Sequence, residues 1–391
     1  MGSPASGPRS LALAMRMSSH RGDGYPAVAP TLSERHFGNA MLGQREQDLI
    51  RDALYGRLGH APSPRHVGRL PQLAAAAAAK ASRSDAALEA GEMLLALDGA
   101  TDDVTAKYGR DGSRVLWGIL GSVEATASSH IEGEGTSLRL DDMREAVRAM
   151  EFPSGPDRRV RTDVDIGAEP WVASERRSVL QCAGATRRLL TTGASFLEVC
   201  RAHEILMCGQ PAARPGVPRG EGHNVVIQDR LGRVVFAPPP GGDDIPAMLE
   251  ELIAWTADRC NAAKGKEPLE RYRFISAVSG VAHLRFESVH PFNDGNGRIG
   301  RSLAESIVAT ARPHFDRILP VGIAAAFSEP MQRSAYYAAL SRDDETDFAV
   351  WWCEQMVGAV RIALGEIEHA EIDAEVATLR ERITDHRASG E

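Results

Sequence analysis

Apolar positions recur at helical spacing along most of the chain. In Arg114–Glu132, Val115, Leu116, Ile119, Leu120, Val123 and Ala127 fall on one face, and Gly133 follows where a helix end favours glycine. The alanine-rich run Gln72–Leu97 has few breakers and reads as a helix, as does the shorter Leu138–Met150. A further helical block covers Val172–Met207, and helices are expected again over 245–261, 269–289, 297–311, 329–341 and 346–386. In the last of these Ile367, Ile372, Val376, Leu379 and Ile383 share one side, so it docks either on the core or on a second copy of the chain. Only one region reads as β. Asn224–Gln228 and Arg233–Ala237 flank Asp229–Gly232 as a hairpin, and Pro238–Pro240 ends it. The pattern predicts a mainly α protein with one small β-hairpin.

Breaker-rich stretches divide that pattern. Residues 1–34 are rich in Gly, Pro, Ser and Ala and read as a flexible extension; Leu11–Met15 is too short for a secretion signal. Gly2 followed by Ser6 fits the loose myristoylation pattern, for which a plain mobile terminus is the simpler account. Phe152–Glu169, with two prolines and alternating charges, is the best linker. The expected division is an N-terminal helical domain over 35–155, a core over 165–361 and a C-terminal helical tail over 362–391.

Composition narrows the classes. Of 391 residues 43% are hydrophobic and 25% charged, with a net charge of −8, as in ordinary soluble proteins. The acidic balance argues against coating nucleic acid or anionic membrane, and no apolar run reaches the ~18 residues that span a bilayer. The five cysteines, at 182, 200, 208, 260 and 353, include no CxxC pair, which fits a reduced cytoplasmic protein whose thiols pack as small apolar groups and argues against zinc. Lysine occurs only at 80, 107, 264 and 266, so the abundant arginine reads as codon bias of a GC-rich, bacterial genome. Arginine alone is no functional sign here.

The chemistry concentrates in His290-Pro-Phe-Asn-Asp-Gly-Asn-Gly-Arg-Ile-Gly-Arg301. An apolar helix runs into it, and a second leaves it with Ile299, Leu303 and Ile307 on one face, so the segment is a loop ending at a helix N-terminus. Free amides and the positive dipole end favour an anion there. Gly295 and Gly297 let the backbone curl around an oxyanion, and Arg298 and Arg301 are bidentate donors for phosphate oxygens. Asp294 offers one hard oxygen, suited to Mg²⁺ held mostly by a nucleotide's phosphates. His290 titrates near neutrality and can take a proton from an attacking hydroxyl. Singly, each has a bland reading, as a tight turn or a structural histidine; together they fit phosphoryl or nucleotidyl transfer.

The string resembles the signature of Fic-domain proteins, HxFx[DE]GNGRxxR, at every specified position, and the resemblance extends through FESVH, the hairpin with PPP and the YYxxL of Tyr336–Leu340, roughly 170–360. It implies a helical core that transfers AMP from ATP, with Mg²⁺, to a Ser, Thr or Tyr hydroxyl of a target protein, which can be the chain itself. On that analogy His290 is the general base and Asp294 holds the metal. Gly295, Asn296 and Gly297 bind phosphates, Arg298 grips the β/γ end, and Arg301 sets the γ-phosphate. The hairpin, Asn224, Val225, Val226 and Ile227 included, becomes a flap that aligns the target by strand addition. Tyr337 lies against the adenine. The family's kinase-like branch has Lys where this chain has Gly297, which favours AMP transfer over phosphorylation. Ser341-Arg342-Asp343-Asp344 departs from the Asn that relatives often carry after YYxxL, which leaves the base pocket open.

Many Fic proteins also carry an inhibitory [ST]xxxE[GN], matched here by Ser128, Glu132 and Gly133. Ser128 and Glu132 are four apart on one helix face, and Glu132 is expected to pair with Arg301 and turn ATP into an unproductive pose. Glu134-Gly135 fails the pattern because position 130 is His. Three rivals remain: an enzyme that removes AMP or works in both directions at the same site, an ATP-binding regulator with little turnover, and a DNA-binding regulator. The last is disfavoured by an acidic tail with no turn-and-recognition-helix pattern.

Overall fold

The computed structural model describes residues 70–134, 138, 140–149, 170–225, 227–228, 234–236, 238–312, 319–340 and 344–389. The expected extension over 1–34, the linker Phe152–Glu169, Val226 and Ser341–Asp343 lie outside these residues.

The first helices follow the periodicity with one interruption. Helix α1 (Leu70–Ala81) ends in a turn, and Ser84 starts α2 (Asp85–Ile131) as an N-cap, its Oγ accepting the Ala87 N–H at 3.1 Å. The helix expected over Gln72–Leu97 is therefore two helices, because the serine offers a better start than the alanines offer a continuation. Helix α2 bends at Gly109, whose φ of 59° no helical residue adopts. It closes at Glu132 and Gly133 in a Schellman motif. The Glu134 N–H bonds the Ser129 carbonyl, the Gly133 N–H bonds the His130 carbonyl, and Gly133 has φ 84°.

The second half of α2 is not the one-faced helix its pattern suggested. Every residue from Val115 to Ser129 is buried, the polar Ser122, Glu124, Thr126 and Ser128 included. A helix buried all round threads the core rather than covering it. Short α3 (Leu140–Ala149) packs where Gly118 and Gly121 leave no room for a Cβ, 3.1 Å from Arg148 and 3.2 Å from Val147.

The block 172–207 divides into α4 (Pro170–Thr192) and α5 (Phe196–Leu206), parted at Gly193 (φ 73°) and capped by Ser195. A 3₁₀ turn, Pro211–Ala213, follows. Strands β1 (Ile227–Gln228) and β2 (Val234–Phe236) then pair antiparallel, with a register irregularity after Ile227↔Phe236. Four helices continue: α6 (Asp244–Ala263), α7 (Pro268–Val289), α8 (Asn296–Ala309) and, after a 3₁₀ segment at Ile323–Phe327, α9 (Pro330–Leu340). The helix expected over 346–386 breaks at Ala370, giving α10 (Glu345–His369) and α11 (Ile372–Ser389). The break has no Pro or Gly to announce it. Past it, Ile372, Val376 and Leu379 pack on the core, while Asp373, Glu375 and Arg380 pair with Lys107, Arg148 and Asp111. The tail thus docks on its own chain.

Helices α2, α7 and α10 pack on one another and share one core with α1, α4 and α8; the described residues belong to one compact unit. Gly280 lets α7 close on α10, since a Cβ there would stand 2.9 Å from Trp352. Cys208 is exposed, and the other four thiols are buried as expected. No helix among the described residues is long and apolar enough to cross a membrane.

Two buried polar clusters had no signal in the pattern. Glu305 accepts the N–H groups of Val321, Gly322 and Ile323, and Glu124 accepts that of Ala324. Burial pushes both carboxyls up, the Glu305 charge raises Glu124 further, and a hydrogen bond with Glu124 offsets part of the rise at Glu305, so the pair holds a proton. In the second cluster His283 stacks on Trp352 at 4.6 Å, and its Nε2 meets the Tyr336 hydroxyl at 2.7 Å. Burial pushes its pKa down to about 4.

That shift makes stability depend on pH. Between pH 6.5 and 4 the unfolded chain binds a proton at His283 that the fold refuses, so acid is destabilising there, by up to about 1.4 kcal/mol per pH unit. Urea midpoints should fall more steeply over that range in the parent than in His283→Gln, which starts less stable at pH 7. Equal slopes would show that the folded imidazole accepts the proton.

Candidate active site

Helix α7 delivers His290 at its C-terminal end in the left-handed conformation, φ 47°, with its N–H on the Phe286 carbonyl at 2.8 Å. A non-glycine residue there is strained, so the surroundings must hold it. The His290 Nδ1 lies 3.4 Å from Glu287 Oε2, while Nε2 makes no hydrogen bond to the described residues. Burial alone would raise the Glu287 carboxyl, but His290, His283 and Arg301 more than offset that and keep it ionised. A carboxylate facing Nδ1 favours the proton on that nitrogen and leaves Nε2 as the acceptor.

The loop after His290 is held largely by its own motif residues. Phe292 is fully buried, as a core residue should be. The Asn296 side chain spans its backbone, Oδ1 accepting the Phe292 N–H and Nδ2 donating to the Phe292 carbonyl, both at 2.8 Å. The Asn296 side chain is thereby committed to holding the loop. His203 stacks on Phe292 at 3.8 Å; its Nδ1 accepts the Gly216 N–H, so Nε2 carries the proton and donates to the Asp294 carbonyl at 3.0 Å. Asp294 is half-buried, its Oδ1 accepting the Gly295 N–H at 2.6 Å. Gly295 has φ 75° and no space beside Met207 Sδ, so its lack of a side chain serves packing.

Helix α8 opens with its first internal bond from Ile299 to Gly295, which leaves the amides of Asn296, Gly297 and Arg298 at its positive end. Arg301 points from that turn into the core with 0% of its side chain exposed. Its Nε donates to Ser128 Oγ at 2.9 Å, and its Nη2 to the Ser128 carbonyl at 3.0 Å and to Glu132 Oε1 at 2.7 Å. Burial would lower this guanidinium, and the charge and hydrogen bond of Glu132 together with Tyr336 and the Glu287 charge more than reverse that. The same Oε1 occupies the space that a Cβ on Gly297 would need, 2.4 Å away. The glycine notch and the arginine thus meet one carboxylate.

Arg298, one turn earlier on α8, has its own partner. Its Nη1 lies 2.5 Å from Glu134 Oε2 and 3.2 Å from Ser178 Oγ, and that hydroxyl in turn bonds Glu134. Glu134 fails the inhibitory pattern yet reaches the motif. Tyr337 packs beside Tyr336, and burial followed by the Glu132 charge pushes its phenol up. At the hairpin, Asn224 turns its side chain onto the Gly241 N–H at 3.0 Å and closes the hairpin base. Val225 is half-buried, and Ile227 lies in β1.

Residues 195–308, from the N-cap of α5 almost to the end of α8, match the model of the Fic/DOC family. The chain carries a Fic/DOC family domain. Similar solved structures include a Fic family protein from Desulfovibrio desulfuricans, at 20% identity over 71% of this chain and 76% of that one, TM-score 0.45. A Fic domain containing signalling protein from Bacteroides thetaiotaomicron aligns at 13% over 71% and 98%, TM-score 0.46. Residues 134–508 of Fic-1 from C. elegans align at 18% over 71% and 72%, TM-score 0.42. The matched segment contains the hairpin and the whole of His290–Arg301, whereas Ser128, Glu132 and Glu134 reach the Fic/DOC domain from α2, outside it.

The Asn296 clamp generates a test. Asn296→Ala leaves a buried N–H and a buried carbonyl of Phe292 unpaired, which should cost roughly 2–4 kcal/mol in urea unfolding. A cost below about 1 kcal/mol would show that the loop does not depend on the clamp.

Proposed function

We propose that this protein transfers AMP from ATP to a Ser, Thr or Tyr hydroxyl of a target protein, and that the end of α2 holds it inactive. The observation that carries the reading is the Glu132 carboxylate lying over Gly297 and on Arg301. A site that takes a carboxylate on a glycine notch, an arginine and a helix N-terminus is a site for phosphate oxygens. Fic domain proteins are generally transferases, and AMP transfer or a related modification is their common activity.

In this reading His290 Nε2 removes the proton of the target hydroxyl as its oxygen bonds to the α-phosphorus. The bond from that phosphorus to the bridging oxygen breaks, and pyrophosphate leaves, held by Arg298, Arg301 and the α8 amides. Asp294 suits a Mg²⁺ carried mainly by the phosphates, since its Oδ2 makes no hydrogen bond to the described residues while Oδ1 is fixed on Gly295. When bound, that ion neutralises charge developing on the leaving group. Gly297 in place of lysine favours AMP over phosphate transfer, Tyr337 is the proposed adenine contact, and the hairpin is the proposed guide for the target strand.

Both arginines are occupied, Arg301 by Glu132 and Arg298 by Glu134. We therefore extend the brake to two carboxylates. With ATP labelled at the α position, Glu132→Gly should label protein, Glu132→Gly/Glu134→Gln should label it about tenfold faster at low ATP, and adding His290→Ala should abolish labelling. Tenfold corresponds to ~1.4 kcal/mol of ATP affinity regained at Arg298. Label from the γ position would mean a kinase. Equal label in parent and Glu132→Gly would sink the brake, and no label in any form with ATP bound would favour AMP removal or a non-catalytic regulator.

A further inference from the structure

Arg219, in the loop before the hairpin, is 1% exposed and has no carboxylate partner among the described residues; every hydrogen bond its side chain makes to them goes to a backbone carbonyl. Two of those carbonyls end α7: Nε donates to His290 at 2.7 Å and Nη2 to Val289 at 3.1 Å. Two belong to the base of the hairpin, one on each side of it: Nη1 donates to His223 and Nη2 to Pro239, both at 3.0 Å. Its backbone joins the same two regions, the N–H on the Pro291 carbonyl at 2.7 Å and the carbonyl accepting from Gly242 at 3.3 Å.

We infer that Arg219 is the positioning residue that holds His290 and the base of the hairpin in one register. The inference rests on the AMP-transfer reading and names what sets the target hydroxyl against the base. A buried cation without a counter-charge is costly, and here burial pushes the pKa down to about 10. What the guanidinium supplies in return is a planar fork that spans four acceptors from three chain segments, which an ammonium cannot do. The carbonyls of Val289 and His290 are orphans at the negative end of α7, so a cation there also fixes the strained turn that carries His290. On the other side the hairpin base is closed tightly: Asn224 holds Gly241, and a Cβ on Gly241 would stand 2.3 Å from the Gly220 carbonyl and 2.5 Å from that of His223. A strand added to the hairpin edge therefore lies at a set offset from the imidazole. Arg298 and Arg301 bond Glu134, Ser178, Ser128 and Glu132, none of which is a partner of Arg219 among the described residues, so the phosphate cradle rests on other groups than this device.

The test uses the full chain with Glu132→Gly/Glu134→Gln as parent, α-labelled ATP, and the His290→Ala chain as acceptor. Arg219→Lys in that parent should lower AMP transfer on the order of 10²-fold in kcat. The KM for ATP, and the affinity for a fluorescent ATP analogue, should stay within about twofold, since positioning is lost and binding is not. A merely structural role would reduce nucleotide affinity and transfer together, and that result overturns the inference, as does transfer at the parent rate. Should Arg219→Lys fail to fold, Asn224→Ala decides: it loosens the hairpin base without uncovering a buried charge, and slowed transfer at unchanged ATP affinity supports the inference, while unchanged transfer overturns it. No labelling in the parent itself sinks the AMP-transfer reading instead, so the two failures are distinct.

Discussion

Burying a guanidinium is costly unless its charge is offset, and the burial of Arg301 against a carboxylate organises the structure around it. The anion is Glu132, supported by the hydroxyl and carbonyl of Ser128 one turn earlier. Four residues before Ser128 and four after Arg301 stand Glu124 and Glu305, the carboxyl pair that shares a proton and receives the N–H groups of residues 321–324. Helices α2 and α8 therefore meet along a polar seam in which each buried charge or carboxyl finds its partner on the other side. The Arg301 that keeps the seam intact is the one that faces the glycine notch. Fold stability and occupancy of the anion site are thus linked: whatever anion binds Arg301 must compete with Glu132.

The motif His290–Arg301 divides into residues that shape the loop and residues that meet the carboxylates at the end of α2. Asn296 and Phe292 form a two-way amide clamp, His203 supports the Asp294 carbonyl from α5, and Gly295 permits both a left-handed turn and contact with Met207. None of these needs a ligand to account for it. Gly297, Arg298 and Arg301 are different, because the two arginines reach carboxylates brought from the end of α2 and the glycine leaves room for one of them. A motif can thus be strict at every position for two unrelated physical reasons, and the geometry separates them.

Elements with strong periodicity were legible in the sequence, and so was the contiguous segment His290–Arg301 around which the candidate site is built. The helix breaks at Ser84 and Gly193 carried usable cap signals, whereas the one at Ala370 did not, since it comes from α11 packing back on α2. The complete burial of Val115–Ser129 was hidden because small and polar residues there look like an exposed face. Glu134 was passed over since it fails a pattern built around its neighbour, although it stands two residues from Glu132 on the same turn. Arg219 was illegible for a deeper reason. Its partners are main-chain carbonyls of His223, Pro239, Val289 and His290, which leave no trace in residue type, and an arginine-rich chain gives a lone arginine no contrast.

Two carboxylates two residues apart meet two arginines one helical turn apart, and both carboxylates belong to the Schellman end of α2. The bonds from Gly133 and Glu134 back to His130 and Ser129 fix that turn, and Arg333 of α9 donates to the His130 carbonyl at 2.8 Å. The backbone that carries Glu132 and Glu134 is consequently held in place. A rotamer change at Glu132 leaves Glu134 on Arg298, and a rotamer change at Glu134 leaves Glu132 on Arg301. Freeing both arginines takes either two rotamer changes or a displacement of the turn, and the displacement breaks the Schellman bonds and the Arg333 contact together. An anion that engages both arginines therefore competes with two carboxylates, and one that engages Arg301 alone competes with one.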